Sequence, residues 1–444
     1  MKRIGCALAV AMFAATGSAS AWEQWISGGG GFIHNIAPQN ALSVNGSGGF
    51  CLLTNDRVMY SGRIEFAHYY VYAGNGVLDP LLTNSIGHPQ GLTTLGVDCR
   101  FAPPMIGVDW TDSDLSWHDD LLGRSEDGSN FWTAPLWSYG SARPARFGAS
   151  AARSAVVLQQ DGRGRAFTLQ GWAAAASTPS DASPPALQWE MNFANSPYPD
   201  TTVVAMNVAA DGTTSVIGTF SQPFAEGTFV QRYSAQGYPL SGTGSLPSAD
   251  TPVMGEAAFS ADGTAYFVRK GNYPPRDVLW RVGPQQSMPQ PVDLSFYGPV
   301  RVLRLVVLPD DGALVLALSG YGGVPLLTRF AADGTRLWSQ PVPIPTLQRT
   351  LLDVIGDRAG RAVVVSADPP GLPQRSYYLD AYGTQGQYLW SDSVPNARFD
   401  DGQPVALALT SDDRVVFALQ TMGYQGQWQP GIVLRSITLD APGP

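Results

Sequence analysis

Beyond the first twenty or so residues the chain shows little helical periodicity. Short apolar or alternating runs recur instead, each bounded by Gly, Pro, Asp or Asn. Runs of that length and period between turn residues predict β-strands. The clearest stretch is Leu303 to Leu318, two apolar strands around Pro309-Asp310-Asp311-Gly312. Its Asp-Gly supplies the positive φ that a tight hairpin turn requires. A second hairpin follows from Leu326 to Trp338 around Ala332-Asp333-Gly334-Thr335, so the two predict four consecutive antiparallel strands, A to D.

The unit repeats. The A–B turn is expected at Asp161-Gly162, Asp211-Gly212, Asp262-Gly263 and Asp311-Gly312, with weaker copies at Asp357, Asp412 and Asn55-Asp56. A degenerate copy is expected near Pro103-Pro104, with its second hairpin at Leu121 to Trp132. The step of about 50 residues gives about eight units, a period that belongs to repeat architectures. The last unit holds strands A and B (Val405 to Gln420) and C (Ile432 to Leu439) but no D. Trp22-Glu23-Gln24-Trp25-Ile26-Ser27 matches the D strands Thr335 to Ser339 and Gln387 to Ser391. The expectation is therefore an all-β chain, a single eight-bladed β-propeller over 22–444 built of four-stranded antiparallel blades. Its N-terminal strand closes the last blade and removes the exposed sheet edges. Trp132, Trp338, Trp390 and Trp25, near the start of each D strand, read as packing between blades.

Residues 1–21 have the layout of a secretory signal peptide. Lys2 and Arg3 precede an apolar stretch from Ile4 to Ala15, and Ala19-Ser20-Ala21 forms an A-x-A cleavage site. That apolar stretch is shorter than the roughly 20 residues a spanning helix needs. The expected location is exported, periplasmic or extracellular, with no integral membrane segment in the mature chain. Removal of Lys2 and Arg3 takes the formal charge from −9 to about −11, leaving Lys270 as the only lysine. So acidic a chain lacks the basic surface that nucleic acid requires. The 14% of charged residues is low, yet 44% are hydrophobic and 12 are Trp, enough for a large core. Cys51 and Cys99, 48 residues apart, are expected to form a disulfide at equivalent places on neighbouring innermost strands, each ahead of its A–B turn. On the loop-entropy model that link stabilises by about 4 kcal/mol.

The segment Leu379-Asp380-Ala381-Tyr382-Gly383-Thr384-Gln385-Gly386-Gln387-Tyr388-Leu389-Trp390 resembles the repeat of PQQ-like (quinoprotein/BamB-type) β-propellers. The Ala-Asp-Gly-Thr hairpins resemble the Asp-Gly propeller repeats of exported bacterial proteins. The likeness implies a propeller scaffold across most of residues 150–440. The vicinal Cys–Cys pair of the quinone-dependent dehydrogenases has no counterpart here, nor does the lipid-anchoring cysteine of the assembly factors, so neither activity carries over.

Candidate chemistry gathers in the first third. His34 and His88 are expected in D–A connections, and His68 and His118 near the start of strand C, all on one face. Beside them run Asp109 to Asp114 and His118-Asp119-Asp120. His68 and His118 with Asp112 and Asp114 form a candidate site for a divalent metal; the alternative is a solvated acidic loop. No cofactor is expected. No nucleophile elbow, P-loop or nucleotide fingerprint occurs. Ala173 to Pro185 reads as a long B–C loop of blade three. Trp110, Trp117, Tyr273 and Trp428 are candidate contacts for a protein, peptide or glycan. The function expected is non-enzymatic binding through the B–C and D–A loop face. The alternative is a quinone- or metal-dependent enzyme using the His and Asp cluster.

Overall fold

The computed structural model describes residues 11–12, 22–27, 32–37, 41–58, 64–80, 83–87, 92–100, 105–111, 117–124, 131–136, 143–150, 154–173, 184–193, 200–222, 225–240, 245–248, 254–271, 277–286, 288–294, 298–320, 323–342, 349–369, 372, 375–398, 405–423 and 429–439. They form an eight-bladed β-propeller of four-stranded antiparallel blades. Blade six shows the plan: strands A (Val300–Val307), B (Ala313–Ser319), C (Val324–Phe330) and D (Arg336–Pro341) pair in sequence order. Blade eight joins the two ends of the chain. Its strands A (Val405–Leu409), B (Arg414–Thr421) and C (Gly431–Thr438) are completed by Trp22–Ser27, with Trp22 opposite Ser436 and Ser27 opposite Gly431. Ala11–Met12 pairs with the outer side of that closing strand.

Strands B are the most buried because both their faces meet neighbouring blades. Arg414–Thr421 is buried at every position and Ala362–Ala367 likewise. Between blades, three strand-D tryptophans rest on a glycine in the C–D turn of the next blade; of the four that the repeat picked out Trp338 is among them, while Trp132 and Trp25 lie against Gly123 and Gly431 of their own blades. Trp189 of blade three lies against Gly237 of blade four, and Trp338 of blade six against Gly386 of blade seven. Trp22 of blade eight lies against Gly76 of blade one. Trp189 Nε1 also donates to Ala235 O at 2.7 Å, and Trp390 Nε1 to Leu439 O at 3.3 Å. At the closing junction Trp22 stacks on Phe50 at 5.5 Å and Gln24 Nε2 donates to Gly76 O.

Several turns differ from the sequence reading. In blade one, strand A is split into Phe32–Ile36 and Leu42–Val44, and the A–B turn is residues 45–49, where Asn45 Oδ1 accepts from the N–H groups of Ser47 and Gly49. Asn55-Asp56 lies instead inside strand B (Phe50–Val58). In blade three, Asp161-Gly162 joins strand B (Ser154–Gln160) to strand C (Ala166–Ala173), and Asp161 Oδ1 accepts from the N–H groups of Arg163 and Arg165. An Asp that caps its own turn in this way serves either edge of a blade, so the dipeptide does not report which hairpin it closes. It follows that the segment after Ala173 is a C–D connection, not a B–C loop.

Cys51 and Cys99 form the expected disulfide, with Cα atoms 6.2 Å apart. Their places are not equivalent. Cys51 stands on strand B of blade one, after its A–B turn, whereas Cys99 follows strand A (Leu92–Asp98) of blade two. The bond therefore bridges two blades at the A–B face.

Two stability changes are expected. Gly386 has φ of 78°, and a Cβ there would lie 2.7 Å from the Trp338 ring. Gly386→Ala should cost about 1–3 kcal/mol in urea denaturation, from left-handed strain plus overlap. Cys51→Ser with Cys99→Ser should cost about 2–4 kcal/mol in the same measurement.

Candidate functional site

The B–C and D–A connections emerge on one face, and the described chemistry of blades one and two sits just below it. His68 lies on strand C of blade one (Ile64–Tyr72), opposite Thr54 of strand B and Ser85 of strand D. His68 Nε2 is 2.8 Å from Asp56 Oδ2, and His68 Nδ1 is 2.5 Å from Ser85 Oγ. Asp56 is buried and Ser85 exposed. Phe66 and Tyr70, on the same side of the strand, stack on the imidazole at 6.4 and 6.2 Å. With the Nε2–H donated to the carboxylate, Nδ1 accepts from the serine hydroxyl. The chain of bonds pins strands B, C and D together and fixes the ring's orientation. Both ring nitrogens of His68 are thus engaged within blade one.

His118 is half-buried on strand C of blade two (Trp117–Arg124), opposite Trp110, and is followed by the buried Asp119 and Asp120. His68 and His118 hold corresponding places on neighbouring blades, as the repeat spacing implied. Among the described residues no group of three His, Cys, Asp or Glu side chains is placed to hold a metal ion. Asp112, Asp114 and His88 lie outside the described residues, as do Tyr273 and Trp428 in the B–C connections of blades five and eight. The backbones of Trp110 and Trp117 end strand B and begin strand C of blade two. His34 belongs to strand A of blade one rather than to a connection.

A buried polar seam, missed from the sequence, runs beneath the same face. Thr94 Oγ1 of blade two donates to Asn55 Oδ1 of blade one at 3.0 Å. Asn35, paired with Asn55 across the strands, accepts from Arg398 Nη2 at 2.7 Å. Arg398 is 1% exposed, in the connection between blades seven and eight. The Tyr377 hydroxyl bonds to the carbonyls of Arg398 and Gln420 at 2.9 and 2.8 Å. No charge pattern along the chain marks Arg398 out, because its partner is an asparagine far away in sequence.

The channel is lined by the A strands, whose residues stay half-buried where those of strands B are sealed. In blades two to seven strand A carries a β-bulge at a matching place, between Thr94 and Gly96, Pro144 and Arg146, Val203 and Ala205, Met254 and Ala257, Val302 and Arg304, and Leu351 and Asp353. Bulges re-aim side chains, and pairing resumes after them at Gly96, Arg146, Ala205, Ala257, Arg304 and Asp353 of the innermost strands. Arg304 links three blades: Nε donates to Leu352 O at 2.9 Å and Nη1 faces Glu256 Oε1 at 3.4 Å, with Asp353 Oδ1 3.9 Å away. Burial pushes the Asp353 carboxyl above its ordinary range against the opposing pull of the Val354 N–H and Arg304, while Glu256 adds to the rise.

No protein-family model matches the chain. No curated protein matches it either. Solved structures do share its outline. An oligogalacturonate lyase in complex with manganese matches with a TM-score of 0.48 and 10% identity, over 97% of this chain and 96% of that one. YCF48 bound to D1 peptide matches at 0.43 and 11%, over 76% and 93%. The β-propeller domain of the Trilobed protease from Pyrococcus furiosus matches at 0.44 and 9%, over 79% and 98%. At these scores the likenesses bear on no site of this chain. Among the described residues no helix is long and apolar enough to cross a membrane.

The His68 relay gives a direct test. A double-mutant cycle on Asp56→Asn and His68→Gln should return a coupling of about 1–2 kcal/mol in unfolding free energy. A coupling near zero would mean that the bond between them does not hold in solution.

Proposed function

We propose that this chain is an exported, non-enzymatic scaffold that binds a protein, peptide or glycan through its B–C and D–A face. The observation that carries the reading is the asymmetry around the two mouths of the channel. On one side the A–B connections are uniformly short, from four residues (150–153) to six (99–104). On the other, the D–A connections that rim the mouth reach nine residues (396–404). Ligand contacts concentrate on loops held by a rigid scaffold, and only this side has inner loops long enough to vary.

Trp110, Trp117, Tyr273 and Trp428 all belong to B–C connections or the strand ends beside them, so they are the aromatic anchors assigned to the face. Export accords with the disulfide, which persists in oxidising compartments. The engagement of both His68 ring nitrogens inside blade one favours this reading over a metal-dependent enzyme built on His68 and His118. Elemental analysis separates the two: one equivalent of tightly held metal, lost on His68→Ala with His118→Ala, belongs to the enzyme reading.

Alanine at Trp110, Trp117, Tyr273 and Trp428 together should weaken binding to arrayed glycans or peptides at least about tenfold with the denaturation midpoint little changed. Substitutions in the A–B turns should leave binding intact. Equal loss from both sets would count against the face.

A further inference from the structure

Among the described residues of the inner ring, Arg146 is a cation that the protein leaves unanswered. Arg146 sits on strand A of blade three (Arg143–Ala149), at the bulge position that Arg304 and Asp353 hold in blades six and seven. Arg304 is surrounded by carbonyl and carboxylate oxygens. Arg146 makes no hydrogen bond or ion pair among the described residues, and its Nε is shut from solvent without a partner. Burial alone shifts it, lowering its pKa with no neighbouring charge to offset the cost. A half-buried guanidinium normally finds an anion, since desolvation of an unpaired charge is unfavourable.

The neighbouring ring positions carry small residues. In blade two the place is Gly96, whose φ of 137° disfavours any side chain, and in blade four it is Ala205. Beyond them, on blades five to seven, stand Glu256 and Asp353 with Arg304 between. The positions flanking Arg146 therefore carry no polar side chain, while the carboxylates of Glu256 and Asp353 stand around Arg304. A multiply charged anion such as phosphate would gain one cation and face two carboxyl groups. A planar monoanion matches the guanidinium fork with two parallel bonds and no surplus charge.

We propose that Arg146 anchors a carboxylate-bearing ligand inside the channel, its acid group seated between Gly96 and Ala205. This site lies on the innermost strands, apart from the loop anchors of the face, so the two readings fail independently.

The test uses the purified protein and three probes at fixed ionic strength: N-acetylglycinate, its neutral counterpart N-acetylglycinamide, and inorganic phosphate. Saturable binding is read by ligand-observed NMR. N-acetylglycinate should bind and the amide should not, and Arg146→Gln should weaken the acid at least about tenfold, as loss of a charge-assisted bond predicts. Arg146→Gln should fold with an unchanged or higher urea midpoint, because it removes an unpaired charge. Absence of saturable binding by the acid, equal binding by the variant, or tighter binding of phosphate would each overturn the assignment. A markedly lower midpoint for Arg146→Gln would show instead that the guanidinium has a structural partner, and would overturn it too.

Discussion

The pairing of Trp22–Ser27 with Gly431–Thr438 is the constraint on which the ring rests. Each of the other blades is a local hairpin pair, formed from residues close in sequence. The eighth alone joins distant parts of the chain, so its formation carries the loop-closure cost of the whole ring. What offsets that cost is visible at the junction. The strand adds six paired positions, Trp25 and Ile26 enter buried clusters, and Trp22 stacks onto Phe50 of blade one. Were the strand to leave, blade eight would expose its C strand as an open edge, and blade one would lose the ring covering Gly76.

Closure also dictates where polar chemistry can reside. In a ring of sheets packed face to face, strand B is covered on both sides and tolerates charge only when it is bonded, as with Asp56 and His68. Strand A borders the channel, and a bulge recurs on it in blades two to seven. Charged residues there sit beside solvent but within reach of adjacent blades, as Arg304 does with Glu256 and Asp353. The same geometry makes that ring a natural place for recognition and keeps it independent of the surface loops.

The fold was largely legible because its signals are local and repeated. Asp-Gly turns, β-branched runs and a strand-D tryptophan each recur, and the missing D strand at one end matched a surplus strand at the other. Errors arose where one local signal serves two structures. Asn55-Asp56 looks like a turn from its composition, yet both residues are buried in strand B, bonded to Thr94 and His68. Asp161-Gly162 is a real turn on the wrong edge of its blade. The candidate site was less legible for the opposite reason. Arg398 with Asn35, and Arg146 without a partner among the described residues, acquire meaning only from the other blades around them, and no spacing along the chain encodes that.

Blades one and two depart furthest from the repeat, and the disulfide joins them. Strand A of blade one is split, and neither blade has an Asp-Gly at its A–B turn. In their place stand the Cys51–Cys99 bond at the A–B side and the Thr94–Asn55 and Asn35–Arg398 bonds toward the other. Blade one adds the aromatic stack of Phe50 and Tyr72, 4.8 Å apart, which continues into Trp22 of the closing strand. These two blades follow directly on that strand, so a loosening there would propagate into the closure itself. A covalent link and buried polar bonds hold register in addition to the tryptophan–glycine contact, which blades one, four and seven receive from the preceding blade. The irregular blades are thus held by a covalent bond and buried polar bonds where the Asp-Gly repeat lapses, beside the strand that closes the ring.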